Sequence, residues 1–161
     1  MPVLERIVIV GASLAGLRAA ETLRAEGFAG SITLVGDEGR APYDRPPLSK
    51  QVLRGDWDAD RVSLSAGHDD ALDLTWQRGV AATALDLEWR TVALADGRTL
   101  PYDGLVIATG ARPRHIPGTE HLPGVHALRT LDDALAVRDA LDAGASRVLV
   151  VGAGLIDAEV A

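Results

Sequence analysis

Ile7-Val8-Ile9-Val10-Gly11-Ala12-Ser13-Leu14-Ala15-Gly16 changes its periodicity in mid-stretch. The first four residues form a continuous apolar, β-branched run, the pattern of a parallel strand covered on both faces. From Leu14 to Glu26 the apolar spacing becomes helical, with Leu17, Ala20 and Leu23 near one face and Gly27 as a stop. Ser31 to Val35 reads as the next strand. The stretch therefore predicts a βαβ unit, whose crossover is right-handed.

Outward from that unit, Gly36 to Leu48 is loop chemistry rich in Gly, Pro, Asp and Arg, followed by a short helical stretch near Ser49 to Leu53. A loop this long inside a compact domain is usually functional. Ala66 to Leu74 reads as a helix. Val80 to Leu87, Thr91 to Leu94 and Thr99 to Tyr102 predict a small antiparallel meander, with Asp96-Gly97 as a hairpin turn. Leu105 to Ala108 returns to the buried-strand pattern. Ala111 to Val125 lacks periodicity and reads as a connector, and Leu131 to Leu141 as a helix with Asp132 and Asp133 at its positive end. Arg147 to Val151 is again an apolar strand, followed by Gly152-Ala153-Gly154-Leu155-Ile156-Asp157, so the strand-to-glycine-turn signature occurs twice.

Composition narrows the chemistry. The 161 residues are 47% hydrophobic and 24% charged, within the range of globular proteins. A net charge of -7 argues against nonspecific nucleic-acid binding, which depends on Lys and Arg neutralising phosphates. No apolar run approaches the length of a membrane span, and the first residues do not have the form of a secretory leader, so a cytoplasmic protein is expected. With no cysteine, disulfides, thiolate metal sites and cysteine nucleophiles are excluded from this chain. His68, His115, His121 and His126 have no ligand spacing, and no metal site is expected.

The first glycine motif has the form G-x-S-x-x-G. Gly11 permits a tight turn, Ser13 replaces the glycine that lets backbone approach a pyrophosphate, and Gly16 lets helix and strand pack closely. Free N–H groups and the partial positive charge of a helix N-terminus favour phosphate oxygens there. An ordinary tight βα turn also fits such a motif, but the context is that of a dinucleotide site: Asp37 stands about 20 residues past Gly16, the spacing at which a carboxylate meets a ribose hydroxyl. The Pro42 to Lys50 loop holds the only lysine among 16 basic residues. Pro46 and Pro47 stiffen it, lowering the entropy lost when Arg45 and Lys50 are held against a ligand.

VGASLAGLRAAETLRAEGF, LVGDEGRAPYDRPPLSKQVL, TLPYDGLVIATGARPR and LRTLDDALAVRDAL, in this order over nearly the whole chain, closely resemble the FAD-dependent ferredoxin reductases of the putidaredoxin and rhodocoxin reductase type. These lie in the flavoprotein superfamily that also contains glutathione reductase. The resemblance implies that Gly11, Ser13, Leu14, Ala15 and Gly16 line the FAD pyrophosphate and that Asp37 holds the adenosine ribose. It further implies that Arg45 and Lys50 approach the phosphates and the flavin, that Ala82 meets adenine through its backbone, that Ala108-Thr109-Gly110 closes against FAD, and that Arg129 reaches the flavin end. Gly152 and Gly154 would belong to a second nucleotide motif.

The implied architecture is α/β. Residues 1–114 form the first part of a Rossmann-like FAD domain with a small antiparallel meander, 115–146 a connector and helix, and 147–161 the truncated start of an NAD(P)-binding βαβ unit. The implied function is passage of electrons from NAD(P)H through FAD to a ferredoxin-like iron–sulfur partner, without a general acid, base or nucleophile of the protein's own. An acidic chain would need a local basic patch, with residues such as Arg54 or Arg61, to steer an acidic partner. Relatives of this kind continue through a full NAD domain and a returning FAD segment. The alternative is therefore a truncated, noncatalytic dinucleotide-binding module that self-associates through exposed sheet surface.

The second motif departs from the pattern. Asp157 stands where a third glycine would pack, and placing its Cβ and carboxylate against the strand costs about 1 to 3 kcal/mol if buried unpaired. The residue that would choose between NAD and NADP falls beyond Ala161. For the first motif, Asp37→Ala is expected to weaken adenine-dinucleotide binding by about 1.5 to 3 kcal/mol, the range for charged hydrogen bonds. Titration calorimetry measures this, and an unchanged affinity removes the ribose role.

Overall fold

The computed structural model describes residues 4–64, 70–119, 121–145 and 147–161. It divides into two compact units: residues 1–43 with 64–110, and residues 44–63 with 111–161.

The first unit is built on strands β1 (Arg6–Val10), β2 (Ser31–Gly36), β3 (Leu74–Arg78) and β7 (Gly104–Ile107), in the sheet order β3-β2-β1-β7. The pairs β1–β2, β1–β7 and β2–β3 are all parallel. Helix α1 (Leu14–Ala25) makes the crossover from β1 to β2. A separate antiparallel sheet contains β4 (Ala82–Asp86), β5 (Thr91–Leu94) and β6 (Thr99–Pro101) in sequence order.

Side-chain alternation along β1 sorts the core into two layers. Ile7 and Ile9 join Ile32, Leu34 and Ala20 of α1 on one face of the parallel sheet. Val8 joins Val35, Val80, Val92, Leu94 and Tyr102 on the other, beneath the meander. An apolar run without alternation is what a strand needs when both faces are covered. The β5–β6 hairpin turns at Asp96-Gly97 as expected, with Gly97 at φ +88° and the Arg98 amide donating to Asp96 Oδ1 at 3.1 Å.

The strand starts are clipped together at the end of the sheet away from the glycine turn. Asp103 accepts from the Arg6 amide at 2.9 Å, and its other oxygen accepts from the Arg6 guanidinium at 3.0 Å. The guanidinium holds the Asp103 carboxyl well below the usual carboxylate range, at about 2.

Three segments differ from the sequence reading. Residues 66–69 of the expected Ala66 to Leu74 helix lie outside the described residues, and the remainder forms a 3₁₀ turn at Asp70–Leu72 and the first residue of β3. β3 is a partly exposed edge strand whose apolar/polar alternation spans only Leu74 to Gln77 before Arg78, and its polar residues are of the kind that protects edges. The helical stretch near Ser49 to Leu53 is a 3₁₀ turn at Pro46–Ser49 followed by hydrogen-bonded turns. Lys50 leaves the helical region at φ −127°, ψ −100°, and the amides around it reach back by three, four or five residues (Lys50 to Pro47, Arg54 to Lys50, Val52 to Pro47), so no regular α ladder forms.

The second unit contains α2 (Leu131–Asp142) and α3 (Leu155–Val160). Thr130 caps α2, accepting from the Asp133 amide at 3.1 Å, while Asp133 Oδ2 accepts from the Thr130 amide at 2.7 Å. This is a reciprocal capping box, with Asp in place of the usual Glu. Arg147 to Val151 does not form the expected strand. The second unit has no other strand among the described residues, so this segment has no ladder in which to pair, and Leu149 is 86% exposed. The glycine turn and the helix after it do form.

Because Asp103 titrates from a depressed value in the folded chain, its contribution is complete above pH 4 and is lost as pH falls toward about 2. Asp103→Asn is expected to flatten the stability profile across that acid window. Urea denaturation at a series of pH values, followed by circular dichroism, measures the slope. A parallel profile for wild type and variant would remove the clamp from the fold's acid sensitivity.

Candidate dinucleotide site

In the first unit, backbone approach shapes the glycine turn. Gly11 adopts φ +119°, and its amide donates to the Val35 carbonyl at 2.8 Å. A Cβ there would lie 2.1 Å from the Ala108 carbonyl oxygen. At Gly16 a Cβ would meet the Gly11 carbonyl oxygen at 1.9 Å, and at Gly36 it would press on the Ala12 Cβ at 2.7 Å. The first two contacts are with rigid backbone, so no rotamer change relieves them. The Ala108 amide donates to the Val10 carbonyl at 2.7 Å, which brings Ala108 and Thr109 against the turn.

Ser13 is the N-cap of α1 in an extended conformation, and its hydroxyl makes no capping bond to the helix. Leu14 and Ala15 follow on the exposed side of the first turn, whereas Gly16 is buried. The small Ser13 side chain thus leaves the first-turn amides of a 12-residue helix uncapped by its own oxygen. Asp37 is exposed immediately after β2, and Gly36 is paired with Arg78 of β3. Both motifs stand at the C-terminal ends of parallel strands, where open α/β sheets bind ligands. Ala82 opens β4 and lines a shallow apolar hollow of about 160 Å³ with Val10, Ala84, Val92, Leu105 and Ile107. The residues lining this hollow are aliphatic, so it lacks the polar groups that orient a ligand.

In the second unit, Arg45 donates to the Arg129 carbonyl at 2.7 Å, and Arg129 donates through Nε to the Ala111 carbonyl at 3.0 Å. The Arg129 amide donates to Asp133 Oδ2 at 3.0 Å, so the α2 cap also fixes the residue before it. Lys50 Nζ donates to Glu159 Oε2 at 2.7 Å, and the Ser49 hydroxyl donates to the same oxygen at 2.7 Å. Lys50 first, and Ser49 with it, hold the Glu159 carboxyl below its ordinary range.

No motif in the sequence marks Glu159. It lies 109 positions from Lys50, and no local pattern links a lysine in a proline loop to a glutamate on a short helix. Gly152 and Gly154 form the second turn, but Asp157 does not bury its carboxylate against a strand as expected. It is half-buried and accepts from the Gly154 amide at 2.8 Å, because the carboxylate finds a donor on its own helix terminus. Arg54 and Arg61, expected to offer a basic patch, have local partners: Arg54 pairs with Asp56 at 3.2 Å, and Arg61 lies over the Trp57 ring at 4.9 Å. Among the described residues no group of three His, Cys, Asp or Glu is placed to hold a metal ion, and no helix is long and apolar enough to cross a membrane.

Residues 5–161 match the family model of the pyridine nucleotide-disulphide oxidoreductases. The chain is 44% identical over 158 residues to rhodocoxin reductase of Rhodococcus erythropolis, covering 96% of this chain and 36% of that protein. It is 42% identical over 159 residues to the ferredoxin–NAD(+) reductase component of the p-cumate 2,3-dioxygenase system of Pseudomonas putida, covering 98% of this chain and 39% of the relative. A crystal structure of the covalent putidaredoxin reductase–putidaredoxin complex matches at TM-score 0.79 and 41% identity, over 85% of this chain and 34% of that one. The chain therefore spans less than two fifths of the length of these relatives.

Gly16→Ala is expected to destabilise the first unit by about 1 to 3 kcal/mol, the range for overpacking a closed contact. Denaturant unfolding compares it with Gly27→Ala, where a Cβ meets nothing within 4 Å and the remaining cost is that of φ +84°. Equal midpoints for Gly16→Ala and wild type would contradict the close approach.

Proposed function

The chain belongs to the pyridine nucleotide-disulphide oxidoreductase family, and from that premise we propose that it carries the FAD-binding part of an NAD(P)H:ferredoxin reductase. The observation that supports this most directly is the Gly11 to Gly16 turn. Its backbone is pressed against Ala108 with no room for a side chain, it opens a helix, and Asp37 stands at the end of the next strand. Those features fit a dinucleotide cofactor: uncapped helix-start amides for the pyrophosphate and a carboxylate for the adenosine ribose.

When bound, FAD supplies acceptance of a hydride and release of single electrons. The protein's residues bind and orient. Gly11, Ser13, Leu14, Ala15 and Gly16 would present backbone to the pyrophosphate, Asp37 would take the ribose hydroxyl, and Ala82 and Ala108-Thr109-Gly110 would close around the adenosine half. Within the second unit, Arg45, Lys50 and Arg129 are proposed to serve the phosphate and flavin end. Glu159 holds the Lys50 ammonium in place and balances its charge. Glu159 is thus a positioning residue in this reading.

One relative is the ferredoxin–NAD(+) reductase component of a dioxygenase system, and one matched structure is a covalent complex of putidaredoxin reductase with putidaredoxin. The reading therefore assigns this chain, within its whole protein, a small iron–sulfur acceptor in the cytoplasm. With no cysteine in the chain, a dithiol relay between flavin and acceptor has no residues here to run on.

The experiment is a visible absorption spectrum of the purified chain before and after FAD addition and removal of free cofactor. Retained flavin bands near ~450 nm, the cofactor's own property, are expected. A chain that stays colourless at saturating FAD would overturn its assignment as a self-sufficient FAD-binding part.

A further inference from the structure

The chain contains its own comparison, because a glycine turn of the same spacing occurs twice, with Ser13 against Gly154 at the middle position and Gly16 against Asp157 at the third. In the first turn the third position is Gly16, and the helix start sits so close that a Cβ would lie 1.9 Å from the Gly11 carbonyl oxygen. In the second turn Gly152 keeps a positive φ of +148° and Gly154 stands at the helix start where the first turn has Ser13, but the third position is Asp157. Its carboxylate folds back over the turn. A Cβ built on Gly152 would lie 2.3 Å from Asp157 Oδ2 and 2.4 Å from its Cγ, and the Gly154 amide donates to Oδ2 at 2.8 Å.

We propose that Asp157 is a built-in anion that holds the second glycine turn closed to the pyrophosphate of a pyridine dinucleotide. Three physical terms act together. The Gly154 amide, a donor such a turn would offer to phosphate, is already taken by an acceptor tethered three residues away. The volume beside Gly152 that an approaching phosphate needs is filled by the carboxylate. A pyrophosphate entering beside that carboxylate also meets like charge, with the ordering of the competitor prepaid by the chain.

The cap does not yield simply by unwinding α3. Glu159, two residues on, binds the Ser49 hydroxyl and the Lys50 ammonium at 2.7 Å each, which holds the helix from its other side. This inference concerns the second turn only and is independent of FAD binding at the first. Electron entry from a nicotinamide cofactor does not run through Gly152 to Asp157 of this chain.

The test is titration of the ¹⁵N-labelled chain with NADH, following the Gly152 and Gly154 amide resonances. Wild type is expected to leave both signals in place. Asp157→Gly, which restores the G-x-G-x-x-G pattern, is expected to give saturable shifts with an affinity at least about tenfold above any wild-type binding. Asp157→Asn keeps the size of the cap, removes the charge and is expected to fall between them. Saturable glycine shifts in wild type overturn the proposal, as does an absence of gain in both variants. If Asp157→Gly loses its dispersed spectrum, the Asn variant decides by the same criterion. FAD affinity measured on each variant reports the first turn separately.

Discussion

The structure of the first unit depends on one backbone approach, the contact of Gly11 with Ala108 and of Gly16 with Gly11. Each distance is too short for a Cβ, at 2.1 Å and 1.9 Å. The contacts bring the end of β1, the start of α1 and the end of β7 to one point. Once β1 is anchored there, its alternation assigns the remaining layers: Ile7 and Ile9 face α1, and Val8 faces the meander. At the opposite end of the same strands the Arg6–Asp103 pair holds the starts of β1 and β7 together. The sheet is thus fixed by shape at its glycine-turn end and by charge at the other.

What the sequence reveals follows from how local each signal is. β1, α1 and β2 are legible because strand, glycine turn, helix and stop lie within one short stretch, and the observed Arg6–Val10, Leu14–Ala25 and Ser31–Gly36 differ from expectation only at their ends. The meander is legible for the same reason, since Asp96-Gly97 announces its hairpin. β3 is not, because its alternation, Leu74 and Trp76 inward with Thr75 and Gln77 between them, lasts only four residues before Arg78, too short to stand out from the flanking turns. Arg147 to Val151 shows the converse: its composition is that of a strand, but a strand exists only where neighbouring backbone accepts its hydrogen bonds.

The candidate site divides along the same line. Gly11 and Gly16 are readable because a backbone approach that leaves no room for a Cβ requires glycine, and the place of Asp37 is readable because it follows directly on β2. The partners of Lys50 and Arg45 are not, because they are chosen by tertiary proximity: Glu159 for the one, the Arg129 carbonyl for the other. A carbonyl partner leaves no trace in sequence, since every residue has one.

The two acids of α3 show how position on a short helix separates tasks. Asp157 and Glu159 are two residues apart, and at 3.6 residues per turn they point to nearly opposite sides. Asp157 turns back on the helix start, where free amides stabilise a carboxylate, and so competes for the place of a phosphate. Glu159 turns away from it to the lysine and serine of the proline loop. A glycine at position 157 would leave the Glu159 pairing intact while removing the competitor. The closure of the second turn is therefore attributable to one side chain and separable from the contacts that hold the helix.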